Sequence, residues 1–405
     1  MDGRQWSWMN VFELISPRRL EPDGLPARVG LAVLMSAGIA YAALGPVIVT
    51  GLALSEGFSN ETAGFVLSAN MYGTAVGGLV VALLVKRLNW RGTAAVLLVA
   101  LVGVDCLSAW IGVSQALYPI RFLHGLVGGA LMGAATSVVA RTENPERTFA
   151  IAIFVQLSLG GVGAAVLTPL LVDYGVGIVW LSLVFLTLSA LLVLPLLDNY
   201  PVMVNTAEKS SSRQRAPWPY ALFALLAIFI FQAGQFSLFA YELELGGHYG
   251  FETDFVSLVL ASALLGGGMM ALIVAWWGTR IGRLIPMCVG VFGMAMCAGL
   301  FLLPIAWSFM VAAVGFGAGF SIAIPYLLGM GSEMDNSGQM AAIGAFINSL
   351  GLASGPAIAA GLLDGDHYER VLLFSCIALL TSAIVGIPAA RMLDQRSKHS
   401  RVTWN

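Results

Sequence analysis

Long apolar runs, separated by short polar segments, dominate the chain from residue 29 to residue 392. A helix needs about 20 apolar residues to cross the hydrocarbon core of a bilayer. Each run has about that length, and none shows the short alternating pattern of a transmembrane β-strand. The pattern therefore predicts twelve membrane-spanning helices, spans 1 to 12. They cover residues 29–53, 62–85, 93–113, 117–140, 148–172, 176–197, 218–241, 254–277, 284–304, 306–330, 338–363 and 371–392.

One polar segment, residues 198–217, divides the spans into two sets of six. Its Ser-rich composition suits a connector between two bundles. Short sequences recur about half a chain apart, as Ser158-Leu159-Gly160 in span 5 and Ser349-Leu350-Gly351 in span 11. Repeated six-span units are how one large class of transporters is built. We therefore predict an N-terminal segment at 1–28, a six-helix bundle at 29–197, a linker at 198–217, a second bundle at 218–392 and a tail at 393–405.

Composition excludes a water-soluble protein. The 405 residues are 58% hydrophobic and 10% charged, with a mean hydropathy of +0.86, whereas soluble domains are about 25% charged. The net charge of −2 gives no indication of nucleic-acid binding, because the basic residues lie in loops and termini, where membrane insertion explains them. All four cysteines lie in predicted spans, where packing is the ordinary role. The run Gly266-Gly267-Gly268 lacks the lysine of a phosphate-binding loop. The sequence therefore predicts a lipid-embedded protein without a cofactor or metal.

Basic residues are distributed unevenly between the two sides of the predicted bundle. Of the 20 Lys and Arg residues, Arg121 lies inside a span and Arg370 lies opposite the N-terminus. The others share the side of the N-terminus: Arg4, Arg18, Arg19, Arg28, Lys86, Arg87, Arg91, Arg141, Arg147, Lys209, Arg213, Arg215, Arg280, Arg283, Arg391, Arg396, Lys398 and Arg401. Because basic loops stay in the cytoplasm during insertion, we predict a multi-pass protein of the cytoplasmic (inner) membrane with both termini in the cytoplasm.

Local motifs resemble those of a known family. Span 4 contains Arg121-Phe122-Leu123-His124-Gly125 followed by Gly129, which matches Arg-x-x-Gln-Gly-x-x-x-Gly with His124 in place of Gln. The loops after spans 2 and 8 resemble Gly-x-x-x-Asp-Arg-x-Gly-Arg-Arg, but both lack the Asp. Their arginines are Arg87, Arg91, Arg280 and Arg283. With the layout of six plus six spans, the chain resembles the major facilitator superfamily of secondary transporters.

This resemblance implies an all-α membrane protein whose twelve transmembrane helices form two pseudo-symmetric six-helix bundles. It implies transport by alternating access, a monomer as the working unit, and a gating role for the four loop arginines. Glycines at intervals of four, such as Gly125 and Gly129, predict close helix packing. The pairs Gly45-Pro46 and Gly355-Pro356 predict bends.

Two charged residues lie well inside the predicted membrane. Asp105 in span 3 is about 20 Å from the cytoplasmic edge, and Arg121 in span 4 is about 24 Å from it. Such residues are functional candidates by default, and their similar depth allows an ion pair. Rearrangement of this pair would change the affinity of Asp105 for a proton, with His124 as a relay. The alternatives are a static pair, Arg121 reaching toward the headgroups, or direct contact between Arg121 and substrate.

Uncharged polar and aromatic side chains near mid-span are the candidate lining of a substrate cavity. They are Tyr41, Asn70, Tyr72, Gln156, Gln232, Gln235, Phe236, Tyr326 and Asn348. Gln232 and Gln235 are three residues apart and share one helix face. Amides and phenols beside aromatic rings suit a small organic molecule with apolar surface. For each residue the alternative is a hydrogen bond between helices, worth about 0.6 kcal/mol.

These patterns predict a secondary active transporter for a small organic solute, with a proton as the coupling ion. One hypothesis is uptake of an organic, aromatic or carboxylate compound. The alternative is proton-driven efflux of apolar drugs or metabolites. A third hypothesis, from another class, is a transport-inactive receptor or scaffold on the same fold. An enzyme would need a convergent nucleophile, base or metal cluster, which the scattered histidines and the buried Asp105 do not suggest.

Overall fold

The computed structural model describes residues 19–84, 88–200, 217–334, 339–365 and 367–402, and its regular structure within these ranges is helical. Beside a short 3₁₀ turn at Leu194–Leu196, fourteen α-helices are present. They are α1 (Leu25–Ala43), α2 (Gly45–Ala53), α3 (Asn60–Leu84), α4 (Trp90–Ile111), α5 (Leu117–Val139), α6 (Pro145–Tyr174), α7 (Gly177–Val193), α8 (Trp218–Phe239), α9 (Glu242–His248), α10 (Thr253–Trp277), α11 (Leu284–Leu300), α12 (Ala306–Ser332), α13 (Gln339–Leu363) and α14 (Tyr368–Val402). The predicted all-α membrane fold is confirmed.

Every predicted span corresponds to a helix of the described chain. Eleven helices are long and apolar enough to cross a membrane, and α11 is a shorter apolar helix. Span 1 consists of α1 and α2, spans 2 to 7 are α3 to α8, and spans 8 to 12 are α10 to α14. The short helix α9 has no counterpart in the hydrophobic pattern. The helices run between two ends of the bundle. The proximal end is the one at which α1 begins at Leu25 and α14 ends at Val402, and the distal end is opposite.

The first span is broken where a bend was predicted. Helix α1 ends at Ala43 and α2 begins at Gly45, with Pro46 in its first turn. Proline has no N–H to donate, and its ring clashes with the preceding helical turn, so a continuous helix is disfavoured there. At Pro356 the second predicted bend does not interrupt the helix, since α13 runs on to Leu363.

Glycines bring α3 and α5 into backbone contact. Gly73 and Gly77 on α3 face Gly125 and Gly129 on α5, and a Cβ atom at any of these positions would collide with a backbone oxygen of the other helix. Small residues at this spacing allow the close approach. The prediction that these glycines serve packing is confirmed, and α5 is held at a fixed rotation beside α3.

The two halves of the protein meet along two helix pairs. Helix α6 packs against α10, and α3 packs against α13. A Cβ atom at Gly161 on α6 would lie 3.0 Å from the carbonyl oxygen of Ala261 on α10. These pairs leave the outward faces to lipid, where large apolar side chains such as Trp110 and Leu83 are 83% and 77% exposed. Exposure of this kind suits a bilayer rather than water.

Candidate functional site

An ion pair lies inside the first half of the protein. Arg121 on α5 donates from Nη1 to Oδ1 of Asp105 on α4 at 2.8 Å, and neither side chain is exposed. The sequence allowed this pair because the two residues have similar depth on antiparallel neighbours. The structure joins them, so the buried positive and negative charges compensate each other.

His124 is held between Asp105 and Asn70. Its Nε2 lies 3.4 Å from Oδ2 of Asp105, and its Nδ1 lies 2.8 Å from Nδ2 of Asn70. The same amide nitrogen donates to the carbonyl oxygen of Arg121 at 3.0 Å. Because an amide nitrogen only donates, His124 Nδ1 accepts, and the ring proton sits on Nε2 toward the carboxylate.

Two aromatic rings cover the guanidinium of Arg121. Its Cζ atom lies 3.7 Å from the centroid of the Trp180 ring and 5.4 Å from that of Tyr41. The two rings are parallel, with centroids 6.1 Å apart. A desolvated cation on a ring face gains about 2 kcal/mol. Trp180 was not among the predicted site residues, because one Trp in an apolar span gives no signal until the fold shows its neighbour.

These contacts define one unit, called the ion cluster below. Its members are Tyr41, Asn70, Asp105, Arg121, His124 and Trp180, all of them buried. They come from α1, α3, α4, α5 and α7. In this conformation Arg121 is fully buried and pairs with Asp105, so it does not reach the lipid-facing surface. Tyr41 and Asn70, which were predicted as cavity lining, are members of this cluster.

A chain of amides crosses the second half near mid-span. Gln232 on α8 donates from Nε2 to Oδ1 of Asn348 on α13 at 2.6 Å. Gln235 donates from Nε2 to Oε1 of Gln232 at 3.1 Å, so the two glutamines share a face as predicted. Phe236 is buried beside them, with its ring centroid 5.6 Å from that of Phe239. The structure therefore brings four of the predicted lining residues together.

The other predicted lining residues lie elsewhere. Tyr72 is 36% exposed, and its hydroxyl lies 3.2 Å from that of Ser354, a contact between α3 and α13. Gln156 is half-buried on α6. The Tyr326 hydroxyl donates to the carbonyl oxygen of Gly278 at 2.7 Å, which ties α12 to the proximal end of α10. Tyr326 therefore stands apart from the amide chain.

The loop arginines bind within their own halves. Arg91 donates to the Asn199 side chain at 3.0 Å and to the Pro195 carbonyl oxygen at 2.8 Å. The guanidinium of Arg280 lies 5.1 Å from the ring centroid of Trp276. Arg87, like residues 201–216 of the predicted linker, lies outside the described residues.

Arg283 forms ion pairs with two carboxylates. They belong to Glu333, at 2.6 Å, and to Asp394, at 3.3 Å. Asp394 also accepts from the backbone N–H groups of Arg283 and Leu284. Hydrogen bonds from Arg283 to the two carboxylates outweigh its desolvation and raise the pKa of the guanidinium. A carboxylate from α14 therefore engages the loop that lacks the Asp of the family motif.

A second buried carboxyl lies at the distal end. Glu242, the first residue of α9, is 2% exposed. Within the described part of the chain its Oε1 atom has no hydrogen-bond partner. Glu242 directly follows the predicted span 7 (218–241), and the sequence gave no sign of its burial, because α9 was not predicted. This residue is the main chemical feature that sequence reasoning missed.

Comparisons with known proteins cover most of the chain. A sequence model described as Major Facilitator Superfamily matches residues 30–356. Among solved structures, a crystal structure of the nucleoside transporter NupG is similar with a TM-score of 0.71 and 11% sequence identity. The likeness covers 90% of this chain and 100% of that one. No curated protein sequence matches the chain. At this identity the structural likeness concerns the fold alone.

Proposed function

The chain belongs to the major facilitator superfamily and is a secondary transporter, and we propose that it takes up a small uncharged organic solute together with protons. The predicted substrate classes included carboxylates held by Arg121. The observation that argues against carboxylate substrates is the ion pair between Arg121 and Asp105. Its atoms are 2.8 Å apart, and both side chains are fully buried. A substrate carboxylate would have to displace Asp105 and leave it unpaired inside the protein, which is strongly unfavourable.

The amide chain supports an uncharged solute with hydrogen-bonding edges. Gln232, Gln235 and Asn348 bond to each other, and each amide has both donor and acceptor capacity. A ligand that donates and accepts exchanges these bonds without leaving a charge uncompensated. The Phe236 and Phe239 rings beside them suit an aromatic or apolar face. NupG is described as a nucleoside transporter, so nucleosides are one class of this chemistry to test.

For the ion cluster, we propose the static role. It joins α1, α3, α4, α5 and α7 through buried contacts. Separating the pair would cost about 3–5 kcal/mol. Alternating access moves one bundle against the other as nearly rigid bodies, and a cluster of this kind keeps the first bundle rigid.

We also propose the orientation and the working unit. The bias of Lys and Arg toward the side of the termini supports a cytoplasmic proximal end in an inner membrane. The hydrogen bonds that join the two halves at the distal end support a conformation closed on the outside. A single chain contains both bundles and the amide chain, so a monomer suffices.

The proposal is tested by counterflow in proteoliposomes with labelled nucleosides, neutral amides, sugars and organic acids. We expect exchange of one neutral class and none of the acids. Gln235→Leu should weaken that exchange about tenfold, the value of one or two lost hydrogen bonds. Tyr326→Phe, which removes a hydroxyl outside the amide chain, is the matched control and should exchange normally.

Other outcomes identify the alternatives. Exchange of organic acids would reject the uncharged substrate and return Arg121 to the binding site. Substrate accumulation in vesicles that is driven by an outward-directed proton gradient would indicate proton-driven efflux. Thermal stabilisation by a ligand that is never exchanged would indicate a receptor.

A further inference from the structure

The carboxyl of Glu242, unlike that of Asp105 in the ion cluster, forms no ion pair with a cation among the described residues. We propose that Glu242 is a proton-binding site and that its protonation permits the distal end of the transporter to close. This inference rests on the transporter function and adds the residue at which the proton acts. It places the coupling carboxyl in the second half, on a helix that the sequence did not predict.

The burial of Glu242 requires a neutral side chain. The residue is 2% exposed, and its Oε1 atom has no hydrogen-bond partner within the described residues. A buried carboxylate without a cation loses its hydration uncompensated, whereas a protonated carboxyl is far less costly to bury. Helix α9 lies beyond the end of α8, outside the membrane-spanning segments, and burial raises the pKa of Glu242 to about 8. In the closed conformation the proton is therefore retained near neutral pH.

Helix α9 is attached to the second half of the protein. A Cβ atom at Gly246, one turn after Glu242, would lie 2.5 Å from Cγ1 of Val256 on α10. The Tyr249 hydroxyl donates to the carbonyl oxygen of Phe301, after α11, at 2.7 Å. Helix α9 also packs against α2 of the first half. When the halves separate at the distal end, α9 moves with the second half, and its surface toward α2 is exposed.

Direct bonds between the halves surround this surface. The Tyr241 hydroxyl donates to the carbonyl oxygen of Asn60 at 3.0 Å. The Asn60 side chain donates to the Tyr368 hydroxyl at 2.9 Å, and Glu61 accepts from the backbone N–H of Gly365 at 3.1 Å. Glu242 follows Tyr241 directly, so breaking these bonds would admit water to its carboxyl. The burial of Glu242 therefore belongs to the closed state.

Helices α2 and α10, which pack against α9, bring no lysine or arginine to Glu242, and Arg370 in the first turn of α14 forms an ion pair with Asp364 at 3.3 Å. Helix α2, Gly45–Ala53, contains no titratable residue, and the only one on α10 is Asp254 in its first turn. On α9 itself lie Glu244 and His248, and the His248 ring contacts the Tyr368 ring at 4.9 Å between centroids. Acidic neighbours cannot compensate a carboxylate. Because these helices provide no cation for Glu242, its carboxylate is neutralised by binding a proton.

The sign of the pH dependence follows from the raised pKa. Below the ordinary carboxyl value of 4.5 both conformations carry the proton, and closure has no added cost. As the pH rises from 4.5 toward about 8, the open state releases its proton while the closed state keeps it. The closed fraction therefore falls through this window. Above it, closure requires burial of a carboxylate.

Distance measurement between spin labels tests this directly. Labels at Glu56→Cys, in the loop after α2, and at Arg370→Cys, in the first turn of α14, would be introduced after replacement of the four native cysteines. Both positions are exposed and lie at the distal end of opposite halves. Counterflow would verify that the labelled protein works. We expect a short distance at pH 5 and a growing population of longer distances up to pH 9, changing by up to about tenfold per pH unit. Glu242→Gln should stay closed throughout, and Glu242→Asp should regain the dependence.

Glu244→Gln, on the same helix, is the matched control and should behave as the native chain does. A pH response that survives in Glu242→Gln, or a native chain without any response, would overturn the proposal. Accumulation driven by a pH gradient should be lost in Glu242→Gln and kept in Glu244→Gln. Absence of counterflow in the native chain would instead refute the proposed transport of an uncharged solute, while the distance measurement still decides the role of Glu242.

Discussion

Asp105 and Glu242 are both buried carboxyls, but their surroundings differ in one respect. Asp105 lies 2.8 Å from a guanidinium and faces His124 as well. Glu242 forms no ion pair within the described residues, and burial is the cause of its raised pKa. A paired carboxylate is stable as an ion, and taking up a proton would leave its arginine uncompensated. The comparison teaches that depth in the protein does not identify a proton site, whereas the absence of a compensating cation does.

The largest effect should come from breaking the pair. Asp105→Ala leaves the Arg121 charge buried and alone, so we expect a loss of about 3–5 kcal/mol in stability. The double variant Asp105→Ala with Arg121→Met should recover much of this loss, because no charge is left unpaired. Thermal unfolding in detergent measures both, with the exposed Asp173→Asn as a control. Equal loss in the single and double variants would contradict the role of charge compensation.

The next effect is the pH dependence of distal closure. For the native chain we expect the closed conformation to lose up to about 1.4 kcal/mol per pH unit as the pH rises from 4.5 to about 8. Spin-label distances measure the closed fraction across this range. The corresponding response of Asp105→Asn should equal that of the native chain if the variant folds. If the pH response were lost in Asp105→Asn, the proton site would lie in the ion cluster. This would contradict the difference drawn between Asp105 and Glu242.

A smaller effect should follow from steric opening of the distal end. A Cβ atom at Gly64 on α3 would collide with the Tyr241 hydroxyl, so Gly64→Ala should disfavour closure by about 1–3 kcal/mol. Water would then reach Glu242, and its titration should move toward that of an ordinary carboxyl. Spin-label distances at pH 6 check the opening. Gly361→Ala, where an added Cβ meets nothing within 4 Å, should leave the distances unchanged.

The smallest effect should come from the ring over the guanidinium. Trp180→Phe keeps an aromatic face at Arg121 but a weaker one, and we expect a loss of about 1 kcal/mol. The measurement is thermal unfolding beside Trp218→Phe, whose side chain is 67% exposed. A loss as large as that of Asp105→Ala would mean that the ring, rather than the carboxylate, carries the compensation.

The sequence predicted the similar depth of Asp105 and Arg121, but it did not predict which other side chains contact them in the ion cluster. The depths of Asp105 and Arg121 follow from counting along helices of known rise, and the structure joins them. Tyr41 and Asn70 were predicted as cavity lining because counting gives depth but not rotation about the helix axis. Their rotation is decided by packing, such as the backbone contact of Gly125 with α3. Trp180 enters the cluster for the same reason.

By itself, the sequence determined the helical membrane fold, the twelve crossings and the buried pair of charges. Each follows from local hydropathy, from helix length against bilayer thickness, and from the cost of a lone charge in lipid. Tertiary structure alone decided that Arg121 is covered by Trp180, that the amides of Gln232 and Asn348 meet, and that Glu242 is buried with no partner for its Oε1 atom among the described residues. Burial and pairing depend on which residues distant in the chain come into contact, and hydropathy along a single segment carries no information about that.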